Sequence, residues 1–328
     1  MNRPPDSVAP RPAMRRFAIA VLRIGVAIGI LAFLFRRVRI IHVRDVLSGA
    51  ESSWVAAAFA SSMALQWLVA SRLRRLVRTQ DLAISTFDAF EINLTSRFYG
   101  LFLPGGNMTS IAVRVLKLVR ITHSAVDTGV AIATDRLAAT ATLCLLGILF
   151  WFVELPDQGR AWMVLVGLVL FGIVVFTALL LGRGTVAFLE RMGVPHLGGL
   201  HDARVRIRSL GRADWRDIFL LSIAAHLVGI CTFWMLGHAL GLRPGLLSMG
   251  WIRTCILLPT LIPISVAGLG LREGAAVLLL GMLGVPEERA LAFGLLIFAV
   301  TVFGVGLAGG ILEGRRWLMP PSRRNRIP

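Results

Sequence analysis

Charged side chains stand inside long apolar segments of this sequence, and most of them are arginines. A charge at membrane depth costs roughly 2.5–3.5 kcal/mol on insertion scales, so each such residue is a candidate for function. The excess of arginine favours an anion-binding site, because the planar guanidinium can bind phosphate through two parallel hydrogen bonds. The candidates are Glu91, Arg97, Arg114, Asp135, Arg136, Arg253, Arg272 and Glu273.

Simpler structural roles compete with this interpretation. Asp135 and Arg136 are adjacent and could neutralise each other as a packing pair. Arg114 could extend toward the membrane interface, as long basic side chains do. Glu273 is favoured near a helix start by the helix dipole, whereas a cation gains nothing there, which makes Arg272 the more informative of the two.

Two of the apolar segments are interrupted by proline and glycine. The first reads Leu-Pro-Gly-Gly at 103–106 and restarts before Arg114; the second passes from Pro263 into the run Gly-Leu-Gly-Leu-Arg-Glu at 268–273. Irregular backbone at membrane depth is tolerated only where it is buried in protein or lines a wet cavity. A matched pair of breaks in two halves of a chain indicates a transporter's binding site, where the new helix starts add N–H donors for an anion. The glycines involved are Gly105, Gly106, Gly268 and Gly270.

The composition indicates an all-α, polytopic integral membrane protein. Hydrophobic residues make up 56% of the 328 residues, charged residues only 16%, and mean hydropathy is +0.76, whereas soluble domains are about 25% charged. Apolar stretches of about 19 residues or more recur, which is the length that crosses a bilayer. The net charge of +17 comes from arginines in short loops, the pattern of the positive-inside rule. These arginines are not interleaved with aromatic residues as in single-strand nucleic-acid binders, so no nucleic-acid partner is expected.

Six full spans and two broken elements account for the apolar segments. Loop charge places both ends of the first broken element in the cytoplasm and both ends of the second outside, so each is predicted to be a re-entrant hairpin. The order span, span, hairpin, span then occurs twice with opposite orientation, which is an inverted repeat. Eight full spans with ordinary proline kinks are the alternative. The spans are predicted at 17–35, 52–70, 126–153, 162–181, 218–240 and 289–312, and the broken elements at 87–119 and 246–283.

A single membrane domain is expected over 15–313, with inverted halves at about 15–153 and 160–313. The basic segments 1–14 and 314–328 are expected to be cytosolic tails, the first of them disordered. The sequence thus predicts a multi-pass protein of the cell (inner, cytoplasmic) membrane with both termini in the cytoplasm. Membrane lipids with phosphate headgroups are its expected partners.

Three stretches of the sequence resemble the flippase-like membrane domain of lysylphosphatidylglycerol synthases. They are the Leu-Pro-Gly-Gly stretch followed by Arg114, the Gly-Leu-Gly-Leu-Arg-Glu block, and the Leu-Gly-Val-Pro stretch at 283–286. The resemblance extends over about 15–313 and implies a stand-alone member of that family. Related sequences usually place an acidic residue between the glycine pair and the arginine, whereas Thr109 and Ser110 occupy that region here. The resemblance therefore does not imply a proton- or cation-coupled role for that position.

The arginine-rich candidate site and the resemblance together predict movement of an anionic (glyco)phospholipid or a polyprenyl-phosphate-linked lipid between leaflets. The alternative is an intramembrane lipid-modifying enzyme, or an accessory subunit of a lipid or glycan synthase, with Asp135 or Glu273 as acid or base. The aminoacyl-transfer domain of the synthases is not expected here, because sixteen residues follow Leu312. A separate glycosyl- or aminoacyl-transferase partner and an oligomer are both compatible with the sequence.

No cofactor and no metal ion are expected. Cys144, Cys231 and Cys255 lack metal-ligand spacing and are interpreted as small buried hydrophobes. His226 and His238, twelve residues apart in one span, are expected to pack or to form hydrogen bonds rather than to ligate a metal. Because the sequence shows neither an aminoacyl-transfer domain nor an activated nucleophile or donor-binding motif, transport is favoured over an enzymatic activity, and the lipid-modifying enzyme stays the alternative.

Overall fold

The structure, a computed structural model, describes residues 40–80, 82–103, 106–154, 166–167, 169–174, 210–261 and 268–318. Within these ranges the chain is almost entirely helical and contains no strand. The main helices are numbered in chain order, and a π-helical segment, Phe298–Gly304, joins the last two. They are α1 Ile40–Ser48, α2 Ser52–Arg78, α3 Thr86–Phe102, α4 Asn107–Thr122, α5 Ala125–Glu154, α6 Arg212–Ala239, α7 Leu246–Leu261, α8 Leu271–Gly281, α9 Glu287–Ile297 and α10 Val305–Leu318.

Four of the predicted spans are confirmed as long apolar helices. The shortest, α2, has 27 residues, which at 1.5 Å per residue is about 40 Å and exceeds the thickness of the hydrocarbon core. The predicted span at 17–35, most of the span at 162–181 and the tail 1–14 lie outside the described residues. The all-α polytopic class is confirmed. The stretches long and apolar enough to cross a membrane are Ser52–Arg78, Asp127–Glu154, Arg212–Ala239 and Glu287–Arg315.

Each broken element folds into two short helices that pack against each other. The helices α3 and α4 have 17 and 16 residues, and α7 and α8 have 16 and 11, fewer than the about 20 that a full span requires. Because α3 contacts α4 and α7 contacts α8, the chain turns back at each break. The turns use backbone that favours glycine, with φ of 54° at Gly106, 77° at Gly268 and 83° at Gly270. This is the geometry of the two predicted hairpins rather than of four full spans.

The two halves of the chain run in opposite directions. The equivalent spans of the two halves are α2 and α6, which pack against each other. The N–H of Glu51, just before α2, donates to the carbonyl of Ala239 at the end of α6 at 2.9 Å. At the far end of α2, Arg75 forms an ion pair with Asp214 in the first turn of α6 at 3.1 Å. The equivalent spans are therefore antiparallel, which confirms the inverted orientation for the described part of the repeat.

The hairpins pack across the boundary between the halves. The first helix of each hairpin contacts the last span of the other half, since α3 lies against α10 and α7 lies against α5. Glycines permit these close approaches. A Cβ at Gly309 of α10 would overlap the carbonyl of Leu94, and one at Gly147 of α5 would lie 2.6 Å from Cγ2 of Thr254. The reciprocal contacts join the halves around the space between the hairpins.

Each half also buries its own apolar cluster. The cluster of the first half is formed mainly by α2 to α5, and the cluster of the second half mainly by α6 to α9. Polar side chains are consequently left for the region between the two clusters. The largest fully buried apolar side chains of the two clusters are Leu73, Leu76, Ile92, Leu118 and Ile218 in the first and Leu236, Met249, Ile252, Ile256, Leu280 and Phe293 in the second.

Candidate functional site

A cavity of about 340 Å³ lies between the two hairpins and the spans α2, α5 and α6. Its lining is unusual for membrane depth, because six arginines reach it from α2 to α8. Of the described residues that line it, Asp135 is the one carboxylate, so six positive charges face one negative charge. The arginines are Arg72, Arg97, Arg114, Arg136, Arg253 and Arg272.

Asp135 is paired with arginines from two other helices. Its Oδ1 accepts from Nε of Arg72 at 2.7 Å, and its Oδ2 lies 3.3 Å from Nη2 of Arg114. Arg72 also donates from Nη1 to the hydroxyl of Ser222 at 3.0 Å. Asp135 thus pairs across the helix bundle rather than with its chain neighbour Arg136. Adjacent helix residues point about 100° apart, so Arg136 faces another part of the cavity.

Arg114 does not extend to the membrane interface. Its side chain is 7% exposed and its guanidinium reaches Asp135 in the interior. The interpretation of Arg114 as an interfacial side chain is therefore wrong for this structure. A buried guanidinium is tolerated when a nearby carboxylate compensates its charge. Asp135 compensates the charge of Arg114 in this way.

Arg253 on α7 is held by neutral groups. Its Nη1 donates to Nδ1 of His226 at 3.2 Å, and Nε2 of the same imidazole donates to the carbonyl of Ala139 at 2.8 Å. This arrangement assigns the neutral Nε2–H tautomer to His226. The guanidinium carbon lies 5.7 Å from the ring centroid of Phe233, and a Cβ at Gly229 would overlap the guanidinium. Among the described residues no carboxylate forms an ion pair with Arg253.

Arg97, Arg136 and Arg272 complete the positive lining. Arg97 on α3 is exposed, and it lines the cavity together with the half-buried Arg136 of α5. Neither of these two forms an ion pair with a carboxylate in the described part of the chain. Arg272 is 4% exposed at the start of α8, with its guanidinium carbon 5.8 Å from the ring centroid of Phe298. A Cβ at Gly268 would lie 3.1 Å from Nη2 of Arg272, so the glycine leaves room for it.

Some of the remaining predicted site residues line the cavity and others do not. Gly106 and Gly268 line the cavity, whereas Gly105 lies outside the described residues. The N–H of Gly270 donates to Oε2 of Glu273 at 2.6 Å. This bond caps the start of α8, and neither of its residues is among those that line the cavity. Glu91 is buried on α3 and is not among them either.

The sequence interpretation missed several polar residues of the cavity. Arg72 lies beyond the span predicted at 52–70, but α2 continues to Arg78 and keeps Arg72 buried. The other missed residues are Gln66, Asn93 and His226, and each has an equivalent in the opposite half: Gln66 and His226 stand 14 residues after the first residues of α2 and α6, and Asn93 stands 7 residues after the first residue of α3, as the predicted Arg253 does in α7. Alignment of one half with the other could have identified these pairs.

Several buried polar atoms facing the cavity have no protein partner. They include Oδ1 and Nδ2 of Asn93 and the Nε atoms of Arg114, Arg136 and Arg253. Buried donors without an acceptor cost about 1–3 kcal/mol each, so a ligand with several acceptor oxygens would stabilise them. Among the described residues no group of three His, Cys, Asp or Glu side chains could hold a metal ion. The arrangement suits an anion.

Residues 20–309 match the protein-family model described as the lysylphosphatidylglycerol synthase TM region. The match spans every cavity residue named above. Comparison with curated proteins gave no significant match. Since the match extends over most of the chain and agrees with the resemblance at the two breaks, the chain belongs to the lysylphosphatidylglycerol synthase TM-region family.

Proposed function

We propose that this protein moves an anionic lipid with a phosphate headgroup between the two leaflets of the membrane. The observation that carries the proposal is the convergence of six arginines and one carboxylate on a single cavity between two inverted hairpins. An isolated cluster of positive charge is costly at membrane depth, and a bound anion would compensate it. Arginine forks are well suited to phosphate oxygens.

The shape and lining of the cavity favour a lipid over a small soluble anion. Its volume of about 340 Å³ is enough for a headgroup and too small for the acyl chains as well. Apolar residues lie beside the arginines in the lining, so chains could remain in the bilayer while the headgroup is held by charge. These apolar residues are Leu65, Val69, Leu101, Leu143, Leu257 and Val302.

The inverted repeat supports movement rather than static binding. Transporters built from inverted repeats carry their sites between the repeats and expose them to each side in turn. In this protein each hairpin contacts the last span of the opposite half, so a shift of one half against the other would change both hairpins together. No catalytic residue is part of the proposal.

The charge of the two membrane faces supports cytoplasmic termini in the cell (inner, cytoplasmic) membrane. Among the residues that the structure describes, the face that contains the end of α2 and the start of α6, called the basic face here, has more arginines than the opposite face. Arginine-rich loops remain in the cytoplasm. The arginines are Arg74, Arg75, Arg78, Arg120, Arg212, Arg216 and Arg315 on the basic face, and Arg44, Arg243 and Arg289 on the opposite face.

Lipid scrambling in proteoliposomes tests the proposal. The purified protein is reconstituted with phosphatidylglycerol labelled on its acyl chain with NBD, and dithionite is added to quench the outer leaflet. Liposomes with the protein should show quenching of lipid from both leaflets, and protein-free liposomes of the outer leaflet only. Arg272→Ala should slow the inner-leaflet phase about tenfold or more, because a charge-assisted hydrogen bond contributes about 1.5–3 kcal/mol.

A matched variant controls for the loss of a positive charge. Arg216→Ala removes an arginine whose side chain is 70% exposed outside the cavity, and it should scramble lipid like the wild type. Arg272→Lys should remain slow, because lysine cannot bind phosphate bidentately. Folded Arg272→Ala protein with the wild-type rate would remove Arg272 from the site, and a wild-type protein without scrambling activity would contradict the proposed function.

A further inference from the structure

The cavity contains more positive charge than a phosphodiester headgroup can neutralise. Asp135 compensates part of the charge of Arg72 and Arg114, the two arginines that it contacts. Arg97, Arg136 and Arg253 line the same cavity without an ion pair to any described carboxylate. A phosphodiester brings a single negative charge, so at least two of these three guanidinium groups would keep an uncompensated charge beside it.

Arg253 is the clearest case of a cavity arginine whose charge no described carboxylate neutralises. It is 6% exposed, and its hydrogen-bonding partner His226 is neutral because Nδ1 accepts while Nε2–H donates. Its Nε has no partner. The guanidinium lies over the ring of Phe233, and the absence of a side chain at Gly229 leaves room for it. The surroundings thus orient Arg253 at the cavity without neutralising it.

We propose that the headgroup bound in this cavity carries at least two negative charges, as a terminal phosphomonoester or a diphosphate does, and that Arg253 binds it. This inference rests on the proposed function and narrows its substrate class. A phosphomonoester carries a charge of about −1.5 to −2 near pH 7 and three strong acceptor oxygens. Those oxygens would satisfy guanidinium donors that come from both hairpins and from α5. A terminal phosphate is also small enough for the cavity.

A series of lipids with one common acyl chain tests this inference. The probes are lysophosphatidic acid, which is a phosphomonoester, lysophosphatidylglycerol, which is a phosphodiester, and lysophosphatidylcholine, which is zwitterionic. Affinity is measured for the purified full-length protein in detergent, from the shift of the thermal unfolding midpoint with lipid concentration. We expect lysophosphatidic acid to bind about tenfold or more tightly than lysophosphatidylglycerol, since one additional charge-assisted contact has about that effect. Lysophosphatidylcholine should bind weakest.

Two further comparisons separate recognition of charge from general binding of detergent-like molecules. Arg253→Gln should abolish the preference for lysophosphatidic acid over lysophosphatidylglycerol, whereas Arg216→Gln, outside the cavity, should leave it unchanged. The wild-type preference should also weaken below about pH 6, where a phosphomonoester takes up its second proton and a phosphodiester does not. The lipid series and the pH series use the wild-type protein, so they remain informative if Arg253→Gln does not fold.

The outcomes distinguish this inference from the proposed function. Equal or tighter binding of lysophosphatidylglycerol by the wild type would overturn the inference, even if lipid scrambling is observed. Tight, charge-ordered binding without scrambling of any lipid would instead contradict the proposed transport and leave the recognition of a doubly charged headgroup in place. An unchanged preference in folded Arg253→Gln protein would remove Arg253 from the site.

Discussion

Asp135 determines how much of the cavity's positive charge is available to a ligand. It is 1% exposed and contacts arginines from α2 and α4. A buried carboxylate is tolerated only with such partners, and the partners depend equally on the carboxylate. Loss of its charge would therefore leave Arg72 and Arg114 without compensation, in a site that already contains four other arginines.

The Asp135→Asn variant should be much less stable than the wild type. Removal of one partner of a buried ion pair costs about 3–5 kcal/mol, because the remaining charge stays buried without compensation. The matched control is Asp217→Asn, since Asp217 pairs with Arg75 where the side chains are 31% and 39% exposed. That loss should be below about 1 kcal/mol. Thermal unfolding in detergent measures both, and equal effects of the two variants would show that Asp135 is not the central counter-charge.

Residue types were more predictable from the sequence than residue partners. Arg253 and Arg272 were recognisable as candidates because a charge inside an apolar segment is conspicuous. The pairing of Asp135 with Arg72 was not predictable, because it depends on the rotation and depth of separate helices and because Arg72 lies beyond the span predicted at 52–70. His226 was predicted to pack or form hydrogen bonds, and its bonds to Arg253 and Ala139 confirm this.

At the scale of elements, the two hairpins were predictable from the sequence, whereas the helices against which they pack were not. Proline and glycine at 103–106 and 263–270 predicted the two breaks, because regular helix cannot continue through them. The packing of each hairpin on the last span of the other half was not predicted. It depends on Gly147 and Gly309, which in sequence resemble any other glycine of an apolar span. Their role is visible only when the facing helix is present.

The ends of the two hairpins are predicted to be accessible from opposite sides of the membrane. Ala125→Cys at the start of α5 and Gly281→Cys at the end of α8 place thiols at the two faces, and a Cβ at Gly281 meets no atom within 4 Å. With the three native cysteines replaced, a membrane-impermeant maleimide should label Ala125→Cys from the cytoplasm. The same reagent should label Gly281→Cys from outside. The reason is that Ala125 follows the first hairpin at the basic face, whereas Gly281 ends the second hairpin at the opposite face.

Right-side-out and inside-out vesicles provide the measurement for both cysteine variants. Each variant serves as the control of the other, since one should react in each vesicle type. Labelling of both from the same side would contradict the inverted arrangement of the halves. Labelling of each from the side opposite to that expected would preserve the inversion but place the basic face outside.

At the scale of the whole molecule, the repeat places two equivalent carboxylates, Glu154 and Glu313, near opposite membrane faces. Glu154 and Glu313 each stand seven residues after a glycine, Gly147 or Gly306, that packs against a hairpin of the other half. The inverted order of elements was predictable from loop charge. The reciprocal positions of these two carboxylates were not predictable. The π-helical segment interrupts the last span before Glu313, and it has no clear signature in the sequence.

The two carboxylates hold the hairpins with different partners. Glu313 accepts from Nζ of Lys117 at 2.5 Å and from the hydroxyl of Tyr99 at 3.0 Å, and it thereby connects α10 to both helices of the first hairpin. Glu154 accepts from Nε1 of Trp251 at 2.8 Å and from the hydroxyl of Ser248, both on α7. The contact at the basic face therefore includes an ion pair, whereas at the opposite face the carboxylate accepts hydrogen bonds from two uncharged donors.

Weakening of the Glu313 contact should open the cavity toward the basic face. Glu313→Gln removes the ion pair with Lys117, so the first hairpin loses its charged connection to α10 while the connection through Glu154 is retained. A cysteine at Ser110, which lines the cavity, should then react up to about tenfold faster with a maleimide added from the basic face. The rate follows the population of the open state, and loss of a part-buried charged hydrogen bond of about 1.5 kcal/mol corresponds to about a tenfold change. Glu154→Gln is the matched control and should not accelerate labelling from the basic face, because its contacts lie at the opposite face. Equal acceleration by both variants would show that the faces are not controlled separately.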